Sequence, residues 1–174
     1  MAPLLVSVNA ADLRLSHRLR EWAPPRWFQV WMVAGTRFGD GPGWIAIGLG
    51  LAASGPHGRA AVLSGVVAAL VASLTFIALK RRFRRRRPCD IAPHPVFHVR
   101  PPDVFSFPSG HTMNAFAIAA ALSVRFPAGS PALFLLASCI GASRVVLGLH
   151  FASDVWVGAA LGALIGWTSS VLLP

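Results

Sequence analysis

The chain has 174 residues, of which 55% are hydrophobic and 13% charged, about half the charged share of an ordinary soluble domain; disorder, a coiled coil and a collagen-like chain are excluded. Its charge is lopsided, with 16 Lys and Arg against 6 Asp and Glu and a formal net charge of +10. A mostly apolar chain with a concentrated basic surplus predicts a single-domain integral membrane protein that handles something anionic.

The first eleven residues are not expected to be a secretory signal, because the apolar run at 3–8 is short and no basic stretch precedes it. From Asn9, a candidate N-cap, to Trp22 the pattern is amphipathic, with Leu15, Leu19 and Trp22 on one face. Pro24 and Pro25 interrupt it. A second amphipathic stretch gathers Trp27, Val30, Trp31 and Ala34 and ends near residues 37–41. Basic, Trp-containing helices of this kind lie in the membrane interface or pack on the protein's own flank, and both placements stay open. Residues 1–40 are therefore set apart as an N-terminal amphipathic interfacial segment.

A membrane-spanning helix needs about 20 mostly apolar residues. Residues 60–79 and 155–173 meet this without a charge, while 41–56, 112–124 and 126–143 are shorter and bounded by Gly, Pro or a charge. The apolar flank at 104–111 is expected to bring the segment 112–124 to membrane thickness. The prediction is an all-α helical bundle over 41–174 with about five spans, or six if 27–38 inserts. The loop at 80–110 and the turn at 143–150 then share one face. In the last span Gly158, Gly162 and Gly166 recur every four residues, a spacing that lets helices approach closely, within the bundle or between subunits. A homo-oligomer is thus open but not otherwise indicated. Cys89 and Cys139 are too few for a disulfide framework and have no zinc spacing.

Three polar clusters stand where a membrane protein carries few. The first is Lys80, with six arginines at 81, 82 and 84–87, then Pro88. A juxtamembrane basic run of this kind can simply meet anionic headgroups, yet Lys80 and Arg87 are seven apart, about two turns, and a helix would put both on one face. The second is Pro108-Ser109-Gly110-His111 at the entrance to a span. Ser109 can cap the helix with no ligand, Gly110 would let a ligand approach the backbone, and a helix start attracts anions. His111, ionisable at a span entrance, is a functional candidate by default. The third runs from Ser143-Arg144 to His150 and Asp154. On a helix the last two are i, i+4 neighbours, either a buried structural pair or a carboxylate that orients an imidazole for nucleophilic or base chemistry.

Charge accounting favours a bound anion. Lys80, Arg87 and Arg144 converge near one face, and only Asp90, Asp103 and Asp154 lie in the surrounding segments. A phosphate dianion would supply the missing negative charge, and arginine suits bidentate recognition of it. Metal catalysis fits poorly, since magnesium sites want clustered carboxylates. His94 and His98 lie in a proline-rich loop and read as solvated.

Lys80-x6-Arg87-Pro88, Pro108-Ser109-Gly110-His111 and Ser143-Arg144-x5-His150-x3-Asp154 together resemble the three-part signature of the type 2 phosphatidic acid phosphatase and vanadium haloperoxidase superfamily, in its membrane lipid phosphatase branch. The four fixed letters of the last motif alone would arise by chance in roughly one chain of this length in a thousand, taking each residue type at about one in twenty. The resemblance covers 80–154 and implies a transmembrane phosphatase domain over 41–174. It implies His150 as the nucleophile that forms a phosphohistidine, Asp154 as holder of its other nitrogen, and His111 as the acid and then the base. Lys80, Arg87, Ser109, the Gly110 backbone and Arg144 would cradle the phosphoryl oxygens, with no metal or cofactor. These roles match what phosphoryl transfer asks of a protein, namely positioning, charge stabilisation and a proton for the leaving group.

The implied partners are membrane lipids and a lipid phosphate or diphosphate substrate, not nucleic acid. Phosphatidic acid, phosphatidylglycerol phosphate, polyprenyl diphosphate and lipid A phosphates are the candidates, and residues 108–116 look like bacterial members that include polyprenyl-diphosphate phosphatases. Two other readings are a vanadate-dependent haloperoxidase and a non-catalytic phospholipid-binding or transport protein. Orientation is in conflict. The predicted topology leaves only Arg59 and Arg125 away from the catalytic face, which the positive-inside rule would make cytoplasmic, whereas bacterial relatives of this signature usually present it to the periplasm. The expectation is a bacterial inner-membrane protein with a periplasmic site.

Overall fold

A computed structural model describes residues 3–91 and 103–173; His94, His98 and Arg100 lie outside the described residues. Among these residues the chain forms helices and no strand. They are α1 (Pro3–Glu21), α2 (Arg26–Gly39), α3 (Pro42–Ala53), α4 (Pro56–Phe83), the short α5 (Pro88–Ile91), α6 (Gly110–Arg125), α7 (Ser130–Val146, preceded by a 3-10 turn at Pro127–Gly129) and α8 (Ala152–Leu172). Proline opens α3, α4 and α5, a position where its missing N–H costs nothing. Three stretches are long and apolar enough to cross a membrane: Pro56–Ile91, Pro127–Val146 and Ala152–Leu172, with Pro42–Ala53 a shorter apolar helix. Leu49, Leu70, Leu74, Leu135, Leu164 and Trp167 face outward and exposed, as residues do where lipid is the solvent. The protein is an integral membrane helical bundle.

α6 is the axis of the bundle, packed by α4, α7 and α8. Its buried stripe is almost all alanine: Ala115, Ala117, Ala119 and Ala121 are fully buried. Of residues 104–111, expected to lengthen this span, those before Gly110 do not join it: 103–109 is an irregular loop and the helix starts at Gly110. Pro108 biases the residue before it away from helix, and Ser109 takes the N-cap position. A helix enclosed by others need not span the hydrocarbon itself.

The glycine stripe of α8 resolves as packing inside one chain. A Cβ at Gly158 would meet the Ser109 carbonyl, at Gly162 the Met113 carbonyl, and at Gly166 the Ala117 carbonyl. Since the obstacle is helix backbone, which has no rotamer to give, Gly162→Val is expected to cost on the order of 2–3 kcal/mol. Thermal unfolding in detergent should show a clear fall in Tm, with Leu164→Ala on the exposed face of the same helix changing little.

α2 packs on α7, where Gly35 lies against Cys139 and Ser143 and Gly39 against Ile140. Its outward face carries Trp27, Val30 and Trp31, the aromatic face anticipated from the sequence.

Candidate active site

Lys80 and Arg87 do not share the face of one continuous helix, the arrangement their spacing would give if residues 80–87 were helical. α4 ends at Phe83, and Arg84 takes a left-handed φ of 48°, its N–H returning to the Lys80 carbonyl at 3.0 Å. Beyond it the chain is not helical up to Pro88, and alternate residues point opposite ways. Arg84 and Arg86 are exposed, Arg87 is buried and Arg85 partly so. Lys80 and Arg87 meet because the chain turns back, and both bind one carboxylate, Asp103: Lys80 Nζ at 2.7 Å and Arg87 through Nη2. Burial works against the charge of Asp103, but Lys80 and Arg87 outweigh it and hold its carboxyl below the ordinary range. Arg87 is a hub that also donates to the carbonyls of Asp103 (3.1 Å), Leu149 (2.6 Å) and Phe105 (3.0 Å).

The third cluster is likewise set by a turn. Arg144 sits in the last turn of α7, and the N–H groups of Leu149 and His150 both return to its carbonyl, at 3.0 and 3.1 Å. Gly148 supplies the positive φ of 69° that this reversal requires. His150 therefore precedes α8, and Asp154 lies in the first turn of that helix. Asp154 Oδ2 accepts from the Phe151 N–H (2.9 Å) and the Ser106 hydroxyl, and it stands 3.6 Å from His150 Nδ1, longer than a hydrogen bond. Ser106 Oγ is 3.5 Å from the same nitrogen, so it sits between the two. The other ring nitrogen, Nε2, faces Arg87 Nη1 at 3.2 Å, which makes Nε2 the acceptor and Nδ1 the protonated side.

His150 is 1% exposed. Burial pushes its pKa down to about 3; Asp154 pulls the other way, and Arg87 and Arg144 add to the lowering. A neutral imidazole with a lone pair on Nε2 is the nucleophilic form. We expect nitrogen-15 spectra of histidine-labelled protein to show His150 as a neutral Nδ1–H tautomer from about pH 5 to 8, with no titration across the range where an ordinary histidine changes charge.

The second cluster starts α6. Ser109 is the N-cap, as anticipated, but its side chain makes no capping bond; its Oγ accepts from the Thr112 hydroxyl at 2.9 Å and its N–H donates to the Asp154 carbonyl at 3.0 Å. The missing side chain of Gly110 makes room for the Phe76 ring, which a Cβ would meet at 3.1 Å. His111 Nε2 is 2.6 Å from Asp40 Oδ1, a contact from the end of α2. His111, Gly110, Asp103, Asp40, Asn114, Phe76 and Gly39 line a polar cavity of about 310 Å³.

Arg144 differs from the other cations. It is buried, Nη1 donates to Thr36 Oγ1, and Nε and Nη2 have no hydrogen-bond partner among the described residues. Its charge is felt at Lys80, His111 and His150, and it lies near Arg87. Arg87 adds to the cost of burying this guanidinium while Asp40 and Asp103 offset part of it, and a buried guanidinium with two unmatched nitrogens has the chemistry to bind an anion. Among the described residues no three His, Cys, Asp or Glu side chains gather as a metal-ligand set.

Five contributors were not singled out from the sequence: Asp12, Thr36, Asp40, Arg85 and Ser106. Arg85 donates to Asp154 Oδ1 at 2.7 Å and to Asp12 Oδ2 at 2.6 Å. The Arg-Pro step at 87–88 does favour an extended residue 87, and with it a shared face for 85 and 87; no local pattern announces the others.

The PAP2 superfamily model matches residues 60–174. The chain is 37% identical over 126 residues to the decaprenylphosphoryl-5-phosphoribose phosphatase of Mycobacterium tuberculosis, covering 71% of this chain and 68% of that protein. It is 36% identical over 112 residues to the lipid A 1-phosphatase of Rhizobium etli, covering 62% and 44%. The crystal structure of a transmembrane PAP2 type phosphatidylglycerolphosphate phosphatase from Bacillus subtilis superimposes with a TM-score of 0.73 at 27% identity, over 95% of this chain and 86% of that one. The three motifs, the bundle and these likenesses agree: the chain belongs to the PAP2 superfamily, among its membrane phosphatases of lipid phosphates.

Proposed function

We propose that this protein hydrolyses the phosphate monoester of a membrane lipid through a phosphohistidine on His150, without a metal. The carrying observation is Arg144, buried beside Arg87, Lys80 and the two histidines with two nitrogens unmatched. A phosphoryl group placed there would take bonds from Nε and Nη2. Lys80 would turn from Asp103 toward the same anion, and the Arg87 nitrogen now facing His150 Nε2 would move onto a phosphoryl oxygen. Ser109 and the Gly110 backbone complete the cradle at the start of α6.

In the first step His150 Nε2 attacks phosphorus, the bond from phosphorus to the lipid oxygen breaks, and His111 delivers a proton to that oxygen. In the second, His111 takes a proton from water, the hydroxide attacks phosphorus, and the phosphorus–nitrogen bond breaks to release phosphate. Asp154 keeps the proton on Nδ1 and steadies the imidazole as it gains charge. Three cations supply the charge stabilisation a metal gives elsewhere.

The lipid tail has a place. An apolar groove of about 460 Å³ runs between α3, α4 and α6 past Trp44, Ile45, Leu49 and Val66. Gly39, Asp40 and Asn114 belong to both this groove and the polar cavity. A phosphoryl group between Arg144 and His150 and a chain in the groove would put the ester oxygen in the polar cavity that joins them, near Asp40 and His111. The names of the relatives, a phosphoribose phosphatase, a 1-phosphatase and a phosphatidylglycerolphosphate phosphatase, favour a monoester over a diphosphate. We place the protein in a bacterial inner membrane with the site toward the periplasm and residues 1–40 along the interface. Purified protein should release phosphate from lipid monophosphates in mixed micelles, faster than from polyprenyl diphosphate and unaffected by EDTA. Strict dependence on magnesium, or binding of all these lipids without turnover, would overturn the proposal.

A further inference from the structure

The first helix reaches the nucleophile through a buried charge chain. Asp12 of α1 is 5% exposed and accepts from Arg85 Nη2 (2.6 Å), from the Ser153 N–H (3.1 Å) and from the Ser153 hydroxyl. Ser153 and Asp154 are in the first turn of α8, so Asp12 caps the helix that directly follows His150. Arg85 donates through Nη1 to Asp154 Oδ1 and to Ser153 Oγ, both at 2.7 Å, and its guanidinium lies over the Phe151 ring at 4.4 Å. One guanidinium thus holds two carboxylates, Asp154 through Nη1 and Asp12 through Nη2. It occupies Oδ1 of Asp154 and leaves Oδ2 to Ser106 and the His150 ring.

We propose that Arg85 and Asp12 form a positioning pair for the nucleophile. Arg85 fixes the rotamer and charge of Asp154, and Asp12 fixes Arg85 and the first turn of α8. Neither touches the reacting atoms. The functional unit then extends to α1, well before residue 60, where the family match begins. The proposal rests on the reading of His150 as nucleophile.

Buried carboxylates clamped by a guanidinium leave little slack, and a displacement of about 1 Å in a reacting group can cost about a hundredfold in rate. Arg85→Gln is therefore expected to lower kcat for lipid phosphate hydrolysis about a hundredfold with KM within about twofold. Arg85→Lys should recover part of the rate, because a point charge can hold one carboxylate but not fork between two. Asp12→Asn keeps the shape and the cap on Ser153 while removing the ion pair, and should cost about tenfold in kcat. Arg82→Gln, exposed in the same basic run, should behave as wild type.

The charges facing His150 are Asp154 from α8, Arg87 from the segment before α5 and Arg144 from α7, with Arg85 and Asp12 one step behind Asp154. Removing Arg85 leaves Asp154 less neutralised, so the titration midpoint of His150, read by nitrogen-15 spectra, should rise. A brace that only held the fold would lower the amount of folded protein and leave that midpoint in place. Folded Arg85→Gln and Asp12→Asn proteins with wild-type kcat, or a slowed Arg85→Gln with an unmoved midpoint, overturn the proposal. An active His150→Ala would instead overturn the reading beneath it.

Discussion

His150→Ala is expected to eliminate phosphate release from lipid phosphate, a loss of about a thousandfold or more, while the protein still inserts and folds. The survival of the fold follows from the partners left behind. Asp154 keeps the Phe151 N–H, the Ser106 hydroxyl and Arg85, and Arg87 keeps Asp103 and three carbonyls. Neither ion is stranded. His150→Asn, which refills part of the space with a polar group, should be equally inactive and still more native in its Tm. A brief incubation with phosphorus-32-labelled lipid should trap an acid-labile phosphoprotein in the wild type and none in either variant. Turnover by His150→Ala near the wild-type rate would mean that the site transfers phosphate directly to water, and the intermediate would fall with it.

The bundle was legible because a membrane chain spells its spans in uninterrupted apolar length, and α4 and α8 follow the charge-free segments within a few residues. Polar clusters stood out against that background, so the eight residues expected at the site could be named. Their geometry was not legible. Lys80 and Arg87 meet through a helix that stops and doubles back, and His150 and Asp154 across a turn, though even helical spacing suggested each pair. Such stops depend on which carboxylate or carbonyl waits nearby, and local spacing is blind to that. The same blindness hid Arg85 among identical neighbours. It also hid Asp12, Thr36 and Asp40, whose partners Arg85, Arg144 and His111 lie 73, 108 and 71 positions away. On an amphipathic helix a lone Asp or Thr reads as part of a solvated face. Only the packing of α1 and α2 against the bundle turns those faces inward.

Arg144→Met separates stability from function with opposite signs. The guanidinium is buried, with Thr36 as its one hydrogen-bond partner among the described residues. Asp40 and Asp103 act on it only from a distance, and a buried charge with no directly paired carboxylate costs several kcal/mol, a cost that a chain of similar length without charge removes. The ligand-free variant is expected to gain roughly 1–4 kcal/mol, as apolar replacements of buried ionic groups can, seen as a higher Tm. Its kcat/KM should fall about a thousandfold, since in the proposed mechanism the lost donors hold the phosphoryl oxygens where charge builds in the transition state. Arg144→Lys should lie between, keeping the charge and losing the paired donors. Millimolar phosphate or vanadate should raise the Tm of the wild type, because a ligand that binds only the folded state stabilises it by mass action, and should leave that of Arg144→Met unmoved. A ligand-free variant with a lower Tm that still answers to phosphate would make Arg144 a structural cation, and the anion would have to be held by Lys80 and Arg87 in place of Asp103.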